Sequence, residues 1–160
     1  MALKRARELR PLSSEHHQAL LVAFQLKKAI AGHAESAGAP RDLDGLLALA
    51  RRYEDSVFRA HTAAEEELLG RYLSPEDLRR LEGEHAQMRR FLADARIAPP
   101  PERRQALLGF ADLLERHVRW EERELFPRFE REAGEEALAS LGQELEKRLV
   151  LARSAAVHRA

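Results

Sequence analysis

A histidine and a glutamate four residues apart share a face only on an α-helix. The chain contains that pair twice, with matching flanks. One copy is His117-Val-Arg-Trp-Glu121-Glu122, leading on to Leu125-Phe126-Pro127; the other is His61-Thr-Ala-Ala-Glu65-Glu66, followed by Leu69. Aligned on the histidines, the copies agree at His, at both Glu and at the Leu. A single His-x-x-x-Glu carries almost no information. Two in 160 residues require two helices, each presenting one imidazole and one carboxylate on one side.

The surrounding sequence is built to be helical. Ala, Leu, Glu and Arg dominate, while Val, Ile and Thr are sparse. The first helix starts at Ser13 or Ser14, with Glu15 in its first turn, and runs to about Ala31; residues 1–11 read as an extended basic arm. Gly32, Gly38 and Pro40 break the pattern. Asp42 caps a second long helix reaching about Leu73. Ser74-Pro75-Glu76-Asp77 combines a capping serine, a proline suited to the first turn and acidic residues at the positive helix end. The third helix begins there and stops before Pro99-Pro100-Pro101. A fourth starts near Glu102 and is kinked or ended by Pro127. Beyond Gly134 a last helix spans about Glu135 to Ala152, ahead of a frayed tail over 154–160. The expected fold is all-α: an up-down-up-down four-helix bundle over 12–132 with an additional C-terminal helix over 135–153. That helix packs outside the bundle or forms the contact of a homodimer.

Histidines fall on all four long helices: His16 and His17, His61, His85 and His117. The order also repeats. A helix bearing Glu15-His16 precedes one His-x-x-x-Glu, and a helix bearing Glu84-His85 precedes the other. His85 is in register with Leu78, Leu81, Met88 and Leu92, on the apolar stripe. On the first helix, His16 lies roughly 30° from the apolar direction and His17 over about 100°. His16 is therefore favoured; His17 stays as the alternative, because Leu20, Leu21 and Phe24 give it a partial face.

Imidazoles and glutamates inside a dry bundle are costly unless paired or bound to metal. Two divalent ions resolve the cost, each taking two imidazoles, with two glutamates bridging them. Nitrogen and oxygen donors of this kind suit iron, manganese, zinc or copper, and leave coordination positions open for a small molecule. Cysteine is absent, which excludes disulfides, thiolate catalysis and iron–sulfur clusters. Lys+Arg and Asp+Glu balance at 27 each, arguing against a nucleic-acid-binding protein. No apolar run approaches the ~20 residues of a membrane span, and no signal segment precedes the first helix; a cytoplasmic protein is expected.

Leu12-Ser-Ser-Glu15-His16-His17, His61-x-x-x-Glu65-Glu66, Glu84-His85 and His117-x-x-x-Glu121-Glu122-x-x-Leu125-Phe126-Pro127 together resemble the hemerythrin-like family, or HHE cation-binding domain. The resemblance spans residues 12–130. It implies a non-haem di-iron centre in which one iron takes His16 and His61, the other His85 and His117, and Glu65 and Glu121 bridge them. It also implies oxygen, peroxide or nitric oxide as the small-molecule ligand, or a role in iron handling. Oxygen-carrying hemerythrins differ in having a second histidine one turn after the third-helix histidine, where this chain has Arg89. Their fourth-helix carboxylate is an Asp one residue further along, where Glu122 stands. Reversible oxygen carriage is accordingly not the expected role.

Blander readings compete. A lone helical histidine is usually a surface or satisfied core residue, and Glu65-Glu66-Glu67 and Glu121-Glu122 are usually solvated faces with arginine partners such as Arg119 and Arg123. His33 and His158 are expected to be exposed, and Trp120 and Phe126 to pack or at most to shield the site. A ferritin-like site needs Glu-x-x-His twice, plus a Glu from each of two other helices; Glu82-x-x-His85 supplies one copy and no second exists, with Glu82 kept as a candidate extra carboxylate near the metal. A metal-free helical bundle serving as an interaction module is the remaining alternative.

Overall fold

The structure is a computed structural model that describes residues 5–159. It is an all-α bundle, with no strand among the described residues. The helices are α1 (Arg10–Ile30), α2 (Leu43–Tyr53), α3 (Arg59–Glu67), α4 (Pro75–Ile97), α5 (Pro100–Trp120), α6 (Phe126–Glu132) and α7 (Glu135–Arg159). Two sequence-read caps form as expected. Asp42 Oδ1 accepts the Gly45 amide at 2.7 Å, and Ser74 Oγ accepts the Asp77 amide at 3.1 Å.

Residues 1–4 of the expected extended arm lie outside the described residues, and the part from Arg7 on is not extended. Arg7–Leu9 make one 3₁₀ turn that leads straight into α1. Pro11 fits the first turn of α1, where its missing N–H costs nothing. Leu9 and Leu12 are fully buried. Ser13 is therefore already inside the helix, and its hydroxyl donates to Glu122 Oε1 at 2.6 Å instead of capping. Prolines likewise start α5 two residues before Glu102.

The second and fourth long helices each pass through one widened turn. A π turn over Glu54–Phe58 joins α2 to α3, and another over Glu121–Leu125 joins α5 to α6. The second lies immediately before Pro127, which can neither donate to the preceding turn nor tolerate its carbonyl at close range. The wider turn absorbs that mismatch, and the helix continues through Glu132. Both π turns border the histidine pairs, and each adds a residue to the local register.

α1 packs against α5 and α5 against α4, with α2 against α1 and α5. α7 lies across α3, the N-terminal turn and α1. It crosses that turn closely: a Cβ on Gly142 would stand 2.8 Å from Glu8 Cγ and 3.2 Å from Glu8 Cα. Leu141, Leu145 and Leu149 are buried, and the helix runs past Ala152 to Arg159.

The buried apolar side chains form two separate clusters. One contains Val22, Leu26, Leu46, Phe58, Met88, Leu92, Phe110 and Leu114. The other contains Leu9, Leu12, Leu68, Leu81, Trp120, Leu125, Phe126 and Leu145. Between them, on every helix that crosses, comes a polar layer: His16 between Leu12 and Ala19, His85 between Leu81 and Met88, His117 between Leu114 and Trp120. No helix among the described residues is long and apolar enough to cross a membrane.

Candidate metal centre

The polar layer is buried and dense. His16, His61, Glu65, His85, His117 and Glu121 are all buried, Glu65, His85 and Glu121 completely. Their inner atoms form two groups that share both glutamates: His16, His61, Glu65 and Glu121, and Glu65, His85, His117 and Glu121. Within each group the potential ligand atoms lie within 4.8 Å of one another.

Each carboxylate divides its oxygens between the groups. Glu65 Oε1 is 2.9 Å from His61 Nε2, and its Oε2 is 3.2 Å from His85 Nε2. Glu121 Oε2 is 3.0 Å from His16 Nε2, and its Oε1 is 3.2 Å from His117 Nε2. On α1, His16 is buried within the layer and His17 is exposed. His33 and His158 are exposed, as expected.

The outer nitrogens find a second set of carboxylates. His16 Nδ1 lies 2.6 Å from Glu122, His85 Nδ1 2.8 Å from Glu66, and His117 Nδ1 2.6 Å from Glu84. His61 Nδ1 faces Glu15 at 3.4 Å, without a well-formed hydrogen bond. At three histidines Nδ1 is therefore engaged by an outer carboxylate, and Nε2 is the nitrogen turned inward. Outer carboxylates orient metal-ligating histidines in this way, and loss of the inner proton leaves Nε2 free to bind.

Electrostatics favour added positive charge in this layer. Burial opposes an imidazolium at His61 and His117, but Glu65 and Glu15 push His61 up to about 9, and Glu121 with Glu84 pushes His117 up to about 10. His16 and His85 are also raised against the burial cost, by Glu121 and Glu65 respectively. Burial alone would raise the Glu65 carboxyl, yet the surrounding histidines hold it well below the ordinary carboxylate range.

A bound cation fits these atoms. Both oxygens of Glu65, both of Glu121 and His16 Nε2 are buried without a hydrogen-bond partner. Such orphaned acceptors are expensive in a core. His85 Nε2 and His117 Nε2 are 3.0 Å apart, close enough to share one proton or to bind one cation.

Residues outside the six play parts that the sequence did not reveal. Glu15, Glu66, Glu84 and Glu122 are the outer carboxylates, each adjacent in sequence to an inner residue. Their signal was the repeated Glu-His and Glu-Glu dipeptides. Glu66 and Glu122 are thus not simply solvated faces, and Arg119 pairs with Glu115 instead of the Glu121-Glu122 pair. Glu82, the candidate extra carboxylate, is exposed and lies outside both groups. Arg89 is bound to Glu66 at 3.2 Å, outside the inner layer. The Phe126 ring stacks on His16 at 5.6 Å, and Trp120 lies 5.9 Å from His117.

The model of the hemerythrin HHE cation binding domain matches residues 9–129 and, in an overlapping second match, residues 77–148. The second match begins shortly before Glu84-His85, where the internal repeat starts over. Searches of curated proteins and of solved structures returned no match. With its helical bundle, its buried His/Glu layer and a family match over most of its length, the chain belongs to the hemerythrin HHE cation-binding family.

Proposed function

We propose that this is a non-haem di-iron protein that binds, senses or reacts with oxygen, peroxide or nitric oxide, or handles iron. In this reading His16 and His61 hold one ion, His85 and His117 the other, and Glu65 and Glu121 bridge both. One observation carries the reading: two buried four-residue groups that share two carboxylates whose oxygens lack any other partner. The donor set alone suits several divalent metals; family membership favours iron.

When bound, an iron pair supplies redox chemistry and open positions for a small ligand. The protein does the rest. Glu66, Glu84 and Glu122 fix the imidazole tautomers. Phe126 and Trp120 close the layer against water on the side of the second apolar cluster, and Phe58 and Met88 do so from the other. Each inner group has two imidazoles, and Arg89 stands where oxygen carriers place an extra histidine. The even distribution supports small-molecule reaction or sensing over reversible oxygen carriage.

The test is to load the chain with iron, reduce it without air, and add oxygen, hydrogen peroxide or nitric oxide separately while recording the optical spectrum. New charge-transfer bands with at least one of the three are expected. One equivalent bound indicates a sensor, and continuing consumption of peroxide an enzyme. An iron-loaded chain whose spectrum responds to none of them contradicts the proposal.

A further inference from the structure

The four outer carboxylates run in one direction around the bundle. Glu15 of α1 faces His61 of α3, Glu66 of α3 reaches His85 of α4, Glu84 of α4 reaches His117 of α5, and Glu122, just after α5, reaches His16 of α1. Each carboxylate is in turn approached by one arginine. Arg5 is 2.8 Å from Glu122, Arg80 3.0 Å from Glu84, Arg89 3.2 Å from Glu66, and Arg153 3.6 Å from Glu15. The inner layer is thus enclosed by four His–Glu–Arg sectors.

The sectors are unequal. Three have His–Glu separations of 2.6 to 2.8 Å, while that of His61 and Glu15 is 3.4 Å. His61 Nδ1 is buried without a hydrogen-bond partner. The arginine of this sector is the most distant and the most exposed of the four. Here the arginine comes from α7, and that of Glu122 from the segment before α1, while Arg80 and Arg89 lie on α4. A cavity of about 410 Å³ also opens beside this sector, lined by Glu15 and Gln18 of α1, Ser56, Ala60, and Leu149 and Arg153 of α7.

We infer that the centre is held unevenly: His61 is the first ligand to let go, and Glu15, anchored by Arg153 of α7, is the positioning residue that sets how long the ion beside His16 and His61 stays. The inference rests on the proposed two-ion centre. A histidine held at both ring nitrogens cannot rotate without breaking its outer bond. His61 lacks that restraint and has a cavity next to its outer partner. α7 thereby controls exchange of one ion through a single charge contact.

Cobalt(II) serves as a redox-inert probe. The full chain is loaded with cobalt(II), mixed with excess chromogenic chelator, and followed in time. Two phases of one ion each are expected. Glu15→Gln should speed the fast phase about tenfold or more, the range typical of direct outer partners of metal ligands, and Arg153→Ala, one contact further out, about three- to tenfold. The slow phase should be unchanged in both, and Arg153→Lys should restore the original rate in large part. Arg89→Ala, which acts on the His85 sector, should change the slow phase instead. A purely structural role for Arg153 would speed both phases together. Release of both ions in one phase, or equal effects of Arg153→Ala on both, overturns the inference and leaves the metal centre standing. Failure to take up cobalt(II) at all overturns the centre and this inference with it.

Discussion

Glu84 and Glu82 sit two residues apart on α4 and should behave oppositely when neutralised. Glu84 Oε2 accepts the His117 Nδ1 proton at 2.6 Å, from a side chain only 22% exposed, while its other oxygen meets Arg80. Glu84→Gln keeps the shape and leaves a carbonyl able to accept the same proton. It removes the charge. A charge-assisted hydrogen bond contributes about 1.5–3 kcal/mol against about 0.5–1.5 for a neutral one, so the loss is about 1–1.5 kcal/mol. At about 1.4 kcal/mol per decade, that is roughly tenfold in affinity. Only the ion beside His85 and His117 should be affected. Competition titration with a chelator, fitted to two sites, should show one constant weakened about tenfold and the other unmoved. Glu82→Gln, on the exposed side of the same helix, should change neither. If Glu84→Gln stays within twofold of the parent, or Glu82→Gln matches it, the orienting role of the outer carboxylates is wrong.

Other outcomes follow from the same geometry. In the metal-free chain His61 and His117 are raised to about 9 and about 10, so their protonation stabilises the fold fully below about 6.5 and that stability is lost as pH rises through those values; thermal melts should show the metal-free chain weakening from pH 7 to 10. Glu122, lowered to about 2 against its burial cost by His16, Ser13 and Arg5, stabilises the fold above about 4.5, and this is lost as pH falls towards 2. Because the histidines must lose protons to bind metal, ion uptake at pH 7 should release protons, measurable with an indicator dye in weak buffer. Phe126→Ala removes a fully buried ring stacked on His16 and should cost about 3–5 kcal/mol in denaturant unfolding. Gly142→Ala drives a methyl into Glu8 and should cost about 1–3 kcal/mol, since Glu8 Cα cannot swing aside as a side-chain tip would.

How far the sequence carried can be read from particular residues. His85 was placed inward because Leu78, Leu81, Met88 and Leu92 share its stripe, and helical period alone decides that. The same period brought His61 with Glu65 and His117 with Glu121 to one face each. His16 was separable from His17 only in part, since two adjacent residues on an amphipathic helix both touch apolar neighbours; packing against α5 and Phe126 makes the choice. The π turns were not legible, because a change of register depends on which residues of other helices must be met. The outer carboxylates were misread for a related reason. A residue next to an inward one points about 100° away, and only the position of the neighbouring helix decides whether water or a histidine lies there. The link from Arg153 to the site was hidden, because its partner Glu15 lies on α1 and only the packing of α7 brings the two together.

The central claim is that two metal ions share Glu65 and Glu121. It is tested most directly by metal analysis of the chain and of Glu121→Ala, each reconstituted with iron(II) without air, desalted, then exposed to air for an optical spectrum. Two irons per chain are expected for the parent, one for each group, with near-ultraviolet charge-transfer bands. Glu121→Ala should hold well under one iron and lose those bands, because Glu121 serves both groups. A parent chain that retains no iron, or a Glu121→Ala chain that retains as much as the parent, would contradict the account.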